Sequence, residues 1–88
     1  MKVIISEKAG KQINRFKYLT EYEVEEFILR EIESEEFVDF LESCNSSICN
    51  EFYDKENKVT IFSEIDFNHE ELTVIEVRRG NLVGKDFF

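Results

Sequence analysis

The apolar residues of this chain change their spacing near residue 48, and this change restricts the folds available to it. Upstream they recur every three or four residues, in two series: Ala9, Ile13 and Phe16, then Val24, Phe27, Ile28 and Ile32. Downstream the period is two, with Val59, Ile61, Ser63 and Ile65 on one face. A helix repeats every 3.6 residues and a strand every two, so helices are expected first and strands afterwards. This order is typical of an α+β domain.

The first half of the chain contains clear signals for element boundaries. The run Val3-Ile4-Ile5 predicts a strand buried on both faces, and Ser6 predicts the N-cap of a helix that starts at Glu7. Thr20 and Glu23 form a capping box for a second helix. The segment Ser34-Glu35-Glu36 indicates a break or a kink. A new apolar stripe follows it at Phe37, Phe40, Leu41 and Cys44.

The second half predicts three strands, over 48–53, 58–65 and 72–79, separated by turns at 54–57 and 66–70. Thr73, Ile75 and Val77 are expected to face one way in the last strand. The predicted fold is a two-layer α+β domain spanning residues 1–88. It comprises an N-terminal strand, two to three helices on one face of the sheet, and a three-stranded antiparallel meander.

Composition narrows the class of protein further. Nine Phe and three Tyr argue against disorder. The apolar stretch at the N-terminus is too short for a signal peptide, so a cytoplasmic protein is expected. The longest apolar runs fall far short of a membrane span. The formal net charge is −9, with 20 acidic and 11 basic residues. Generic binding to nucleic acid or to anionic membranes is disfavoured, because both need clustered Lys and Arg.

The charge is unevenly distributed along the sequence. Residues 21–42 contain ten acids and one base, whereas residues 1–20 and 77–88 are both net basic. A straight helix over 21–42 would be ~33 Å long and carry one acid per ~3.3 Å, close to the ~3.4 Å phosphate spacing of one DNA strand. Such a surface could compete with nucleic acid for a basic groove. The alternative is a merely solvated helix face, because Glu is a good helix former.

The remaining candidates for chemistry are one histidine, two cysteines and one arginine doublet. His69 lies in Asp66-Phe67-Asn68-His69-Glu70-Glu71, whose spacing does not fit a calcium loop, so a structural turn is expected. Cys44 and Cys49 are expected to be reduced, partly buried thiols. No catalytic group, metal site or cofactor is predicted. The doublet Arg78-Arg79 could contact phosphate, but pairing with Glu64 or Glu76 across the sheet is favoured.

Two stretches carry a partial resemblance to a known family. Residues Lys2 to Ala9 resemble the first strand and turn of RelE/ParE-type toxins, and Leu72 to Arg79 resemble their closing strand. The predicted element order is also similar to that fold. The resemblance implies a toxin that acts on ribosome-bound messenger RNA or on gyrase. Those toxins are typically basic, and this chain lacks both a broad basic helical face and the family's middle-strand Arg/Tyr pattern.

Three hypotheses for function follow. The first is a non-enzymatic binding or inhibitor protein that presents carboxylates to a basic, nucleic-acid-binding site on a partner protein, such as a host defence nuclease. The carboxylates expected to carry it are Glu25, Glu26, Glu33, Glu35, Glu36 and Asp39. By composition the chain resembles accessory proteins of phages and mobile elements, including anti-CRISPR-like inhibitors.

The second hypothesis is a toxin-like protein or small enzyme using Lys11, Arg15, Arg78 and Arg79. The third is a structural homo-oligomer, such as a homodimer, that buries four apolar residues without an evident place in the core. These are Tyr22, Leu29, Phe87 and Phe88.

Overall fold

The computed structural model describes residues 1–34 and 48–84, which form two helices and four strands. The elements, in chain order, are β1 (Lys2–Ile5), α1 (Glu7–Arg15), α2 (Glu21–Ile32), β2 (Ile48–Asp54), β3 (Val59–Asp66) and β4 (Glu71–Arg79). The predicted stripe at Phe37 to Cys44 lies outside the described residues. Within those residues, no helix is long and apolar enough to cross a membrane.

The four strands form one mixed sheet in the order β1-β4-β3-β2. β2 pairs with β3 and β3 with β4 in antiparallel fashion, whereas β1 lies parallel to β4. The α+β class is therefore confirmed, but the sheet differs in detail from the predicted three-stranded meander because β1 adds a fourth, parallel strand. As an edge strand β1 has one neighbour, and Val3, Ile4 and Ile5 are half-buried rather than covered on both faces.

A β-bulge in β4 changes which of its residues face the core. Phe62 pairs with Glu76, but the next residue, Ser63, pairs with Val74, so Ile75 is an extra residue on β4. The bulge shifts the alternation by one. Val77 consequently shares the buried face with Val74, while Ile75 is exposed. The predicted common face of Thr73, Ile75 and Val77 is therefore wrong.

One hydrophobic core joins both helices to one face of the sheet. From the helices come Ala9, Ile13, Val24, Ile28 and Ile32, and from the sheet Phe52, Val59, Ile61, Ile65, Leu72, Val74 and Val77. α1 packs on β4, and α2 contacts β1 and β2. The helical stripes and the β3 alternation are confirmed by this burial. Half-buried Leu29 packs against the same core, so it is less available for an oligomer interface than the sequence suggested.

The segment after β4 is held by a buried threonine. The Thr60 hydroxyl donates to the Gly80 carbonyl over 2.7 Å and accepts from the Leu82 amide over 2.8 Å. Gly80 adopts a φ of 87°, a conformation that favours glycine. The Gly84 amide then donates to the Glu51 carboxylate over 2.9 Å, so residues 80–84 pass from β4 over β3 to β2.

Candidate functional site: an acidic face on α2 and a basic cleft beside β4

The N-terminus of α2 is fixed by its capping residues. The Glu23 amide donates to the Thr20 hydroxyl oxygen over 3.1 Å, as the capping box predicts. The Glu23 carboxylate differs from that prediction, because it accepts from the Thr20 hydroxyl rather than from the Thr20 amide. Val24, Ile28 and Ile32 are buried, so the rotation of α2 about its axis is determined by the core.

That rotation places three predicted site residues on one exposed face. Tyr22, Glu26, Leu29 and Glu33 are spaced as neighbours along a helix, and Glu25 lies at the edge of the same stripe. We call these five residues the α2 acidic face. Glu25, Glu26 and Glu33 are exposed, and Tyr22 is 68% exposed. The other predicted carboxylates, Glu35, Glu36 and Asp39, lie outside the described residues.

Tyr22 is tied into this face by a hydrogen bond that the sequence analysis missed. Its hydroxyl donates to Glu26 Oε1 over 2.8 Å. This hydrogen bond, the charge of Glu26 and smaller contributions from desolvation and Glu25 raise the pKa of the Tyr22 phenol. The i, i+4 spacing of Tyr22 and Glu26 in the sequence could have predicted this hydrogen bond. The phenol is therefore a reporter of charge on the α2 acidic face.

The carboxylates of this face lack cationic partners within residues 1–34 and 48–84. The ion pairs found there involve Glu7, Asp66 and Glu76, and none includes Glu25, Glu26 or Glu33. Helix α2 is 12 residues long, about 18 Å, and carries five Glu. This is one acid per ~3.6 Å, slightly sparser than the ~3.3 Å expected for a helix over 21–42.

Basic residues gather elsewhere, where α1 packs on β4. Arg15, Arg78 and Arg79 line a cleft of about 390 Å³ together with Gln12, Phe16 and Val77, and we call it the basic cleft. Lys11 does not line it and instead pairs with Glu7 over 3.4 Å. Arg78 Nε donates to Glu76 Oε1 over 2.8 Å. Glu76 was a predicted partner of the doublet, but it is two residues away on the same strand rather than across the sheet.

Glu76 is the polar centre of the α1–β4 contact. Its Oε1 also accepts from Gln12 Nε2 over 3.4 Å and lies 3.6 Å from Lys8 Nζ. Partial burial raises the pKa of the Glu76 carboxyl, but Arg78, Gln12 and Lys8 together outweigh this effect and keep the pKa below its usual value. Sequence spacing could not reveal this cluster, because α1 and β4 are far apart in the chain.

The turn containing His69 is held together by hydrogen bonds to Asp66. Asp66 accepts from the amides of Asn68 and His69, and its other oxygen lies 2.7 Å from His69 Nδ1. This contact lowers the pKa of Asp66 and raises that of His69. Across the described residues, no group of three or more potential ligands could hold a metal ion. Cys49 is free and exposed on β2, which corrects the expectation of a partly buried thiol, and Cys44 lies outside the described residues.

Comparisons with protein-family models, with curated proteins and with solved structures found no match to this chain.

Proposed function

We propose that this protein is a non-enzymatic binding or inhibitor protein, whose α2 acidic face docks on a basic, nucleic-acid-binding site of a partner protein. The observation that carries the proposal is the exposure of Glu25, Glu26 and Glu33 beside Tyr22, without a cationic partner in the described part of the chain. Carboxylates that are already hydrated and unpaired can exchange water for guanidinium or ammonium groups of a partner.

Tyr22 supplies a second component of the surface. Aromatic side chains at the centre of an interface contribute much of its binding energy, and charged residues around them steer the encounter. The hydrogen bond from Tyr22 to Glu26 also orients the ring beside the carboxylates. This combination fits a specific partner better than a uniformly charged helix would. A host defence nuclease is one class of partner with a suitable basic groove.

Affinity capture with matched variants tests the proposal. The immobilised chain is compared with a variant carrying Glu25→Gln, Glu26→Gln and Glu33→Gln, and with a control carrying Glu56→Gln, Glu64→Gln and Glu70→Gln. Both variants lose three exposed carboxylates, but the control residues lie outside α2. We expect a nucleic-acid-binding protein from a bacterial lysate to be retained at low salt by the wild type and by the control, and lost by the α2 variant.

The result that opposes the proposal is equal loss in both variants, since net charge alone would then explain binding. Capture that is indifferent to salt would also oppose it, because exposed charge pairs are screened as ionic strength rises. A third variant, with Glu35→Gln, Glu36→Gln and Asp39→Asn, tests whether the remaining predicted carboxylates belong to the same surface.

One observation favours the alternative of a toxin-like protein or small enzyme: Arg15, Arg78 and Arg79 all line the basic cleft. Expression in bacteria and incubation with RNA test it. Growth arrest that Arg15→Gln and Arg79→Gln both relieve would favour this alternative, whereas unaffected growth and uncut RNA would exclude it.

A further inference from the structure

The fold brings together the two basic ends of a strongly acidic chain. Arg15 ends α1, and Arg78 and Arg79 end β4, with residues 21–76 and nearly all the acids between them in the sequence. α1 packs directly on β4. Like charges repel, so this convergence costs free energy unless something compensates it. Departures of this kind from the most stable charge arrangement are expected mainly at functional sites.

Compensation by the chain itself is incomplete within the described residues. Lys8 and Arg78 share Glu76, and Lys11 pairs with Glu7. Arg15 and Arg79 form no ion pair with a described acid, and both are exposed. The guanidinium carbon of Arg79 lies 5.8 Å from the centre of the Phe16 ring, which is a cation–π contact.

The basic cleft offers both polar and apolar contacts. It is an open depression of about 390 Å³ at the protein surface, wide enough for a small anion. Half-buried Phe16 supplies apolar surface beside Arg79, whose guanidinium carbon lies over the Phe16 ring. Each guanidinium presents a planar fork of donors that suits phosphate or carboxylate oxygens. Two such groups from different elements are better matched by a dianion than by a single carboxylate.

We propose that the basic cleft binds the phosphate group of a small phosphate monoester, with Arg15 and Arg79 as its principal ligands. Arg78 is already oriented by Glu76 and completes the positive side of the cleft. The non-phosphate part of the ligand lies against Phe16. This site is separate from the α2 acidic face, so its failure would leave the proposed function unaffected.

Binding of phenyl phosphate tests this proposal, with inorganic phosphate as the minimal ligand and acetate as the monoanion control. Calorimetry and thermal unfolding are measured against sodium chloride at equal ionic strength. We expect both phosphate compounds to bind and to raise Tm beyond the chloride effect, phenyl phosphate binding more tightly because its ring contacts Phe16, and acetate to have little effect.

The variants Arg15→Gln and Arg79→Gln should each weaken phosphate binding about tenfold, because each removes charge-assisted hydrogen bonds. Both side chains are exposed, so folding should be retained. Arg30→Gln and Lys55→Gln are the matched controls, since these cations line a different cleft together with Glu31 and Glu56. Phosphate stabilisation no greater than that of chloride, or an equal loss in the control variants, would overturn the proposal.

Discussion

The Gln12 side chain covers the part of β4 that β1 is too short to pair with. β1 has four residues and β4 has nine, and their pairing ends at Val74. Beyond that point the Val77 amide donates to Gln12 Oε1 over 2.7 Å. At Val77 the Gln12 side chain thus takes the place of a neighbouring strand, because a buried backbone amide must be hydrogen-bonded.

Replacement of Gln12 should therefore destabilise the fold. Gln12→Leu removes the acceptor of the Val77 amide, and we expect a loss of roughly 1–3 kcal/mol in the free energy of unfolding, measured by urea titration. Asn14→Ala, on the exposed side of α1, is the control and should change stability by less than about 0.5 kcal/mol. Equal effects of the two substitutions would show that the Gln12 contact has no special role.

The Tyr22 phenol allows the charge on α2 to be measured directly. Glu26→Gln removes the charged acceptor, so the pKa of Tyr22 should fall toward its usual value. Glu25→Gln should produce a smaller fall, because Glu25 acts through charge alone. Glu23→Gln is the control, since Glu23 is bonded to Thr20 and does not raise the Tyr22 pKa. NMR titration of the Tyr22 ring measures these changes separately from the other two tyrosines, and an unaltered Tyr22 pKa in Glu26→Gln would refute the contact.

The Asp66–His69 pair predicts a defined pH dependence. The pKa of His69 is raised in the folded state, so its contribution is full below its unfolded value of about 6.5 and is lost as pH rises through the folded value. The pKa of Asp66 is lowered, so its contribution is present above about 3.9 and is lost as pH falls through the folded value. The pair therefore stabilises the turn most between about pH 4 and 6.5.

Proton NMR of His69 tests this pair. In Asp66→Asn the pKa of the ring should return toward its ordinary value, while Asn57→Ala, in the other turn, should leave it unchanged. If His69 titrates identically with and without the Asp66 carboxylate, the two side chains do not interact in solution.

The ends of the helices could be predicted from neighbouring residues in the sequence, but the pairing of distant strands could not. Ser6 and Thr20 accept from the amides of Ala9 and Glu23, and each helix begins where its cap predicted. The bulge at Ile75 could not be predicted from the sequence, because it depends on how β3 pairs with β4. The parallel placement of β1 was likewise hidden, since it brings together residues about seventy positions apart.

The segment after β4 gives a prediction at this scale. Thr60→Val keeps the shape of the side chain but removes the hydroxyl that bonds Gly80 and Leu82. We expect the Leu82 amide to exchange faster with solvent and the free energy of unfolding to fall by roughly 1–3 kcal/mol. Thr73→Val serves as the control, because Thr73 lies in the same sheet but does not hydrogen-bond residues 80–84. Unchanged exchange at Leu82 would mean that Thr60 does not hold residues 80–84.

Over the whole molecule, the net charge of −9 separates into distinct surfaces. The sequence indicated an acidic middle between basic ends, and it identified three exposed carboxylates of α2. It could not bring Arg15 and Arg79 to the same cleft, because that requires α1 to pack on β4. The described structure therefore has an acidic face on one helix and a basic cleft at the end of the other, rather than a uniform negative surface.

The most direct test of the central claim is an NMR titration of the labelled chain with an octa-arginine peptide, which serves as a model of a basic groove. If the α2 acidic face is the binding surface, the largest backbone shifts occur at Tyr22, Glu25, Glu26, Leu29 and Glu33, and they diminish as salt is added. Shifts of equal size in the turns at 54–57 and 66–70 would show that the peptide responds only to net charge, and would contradict the account.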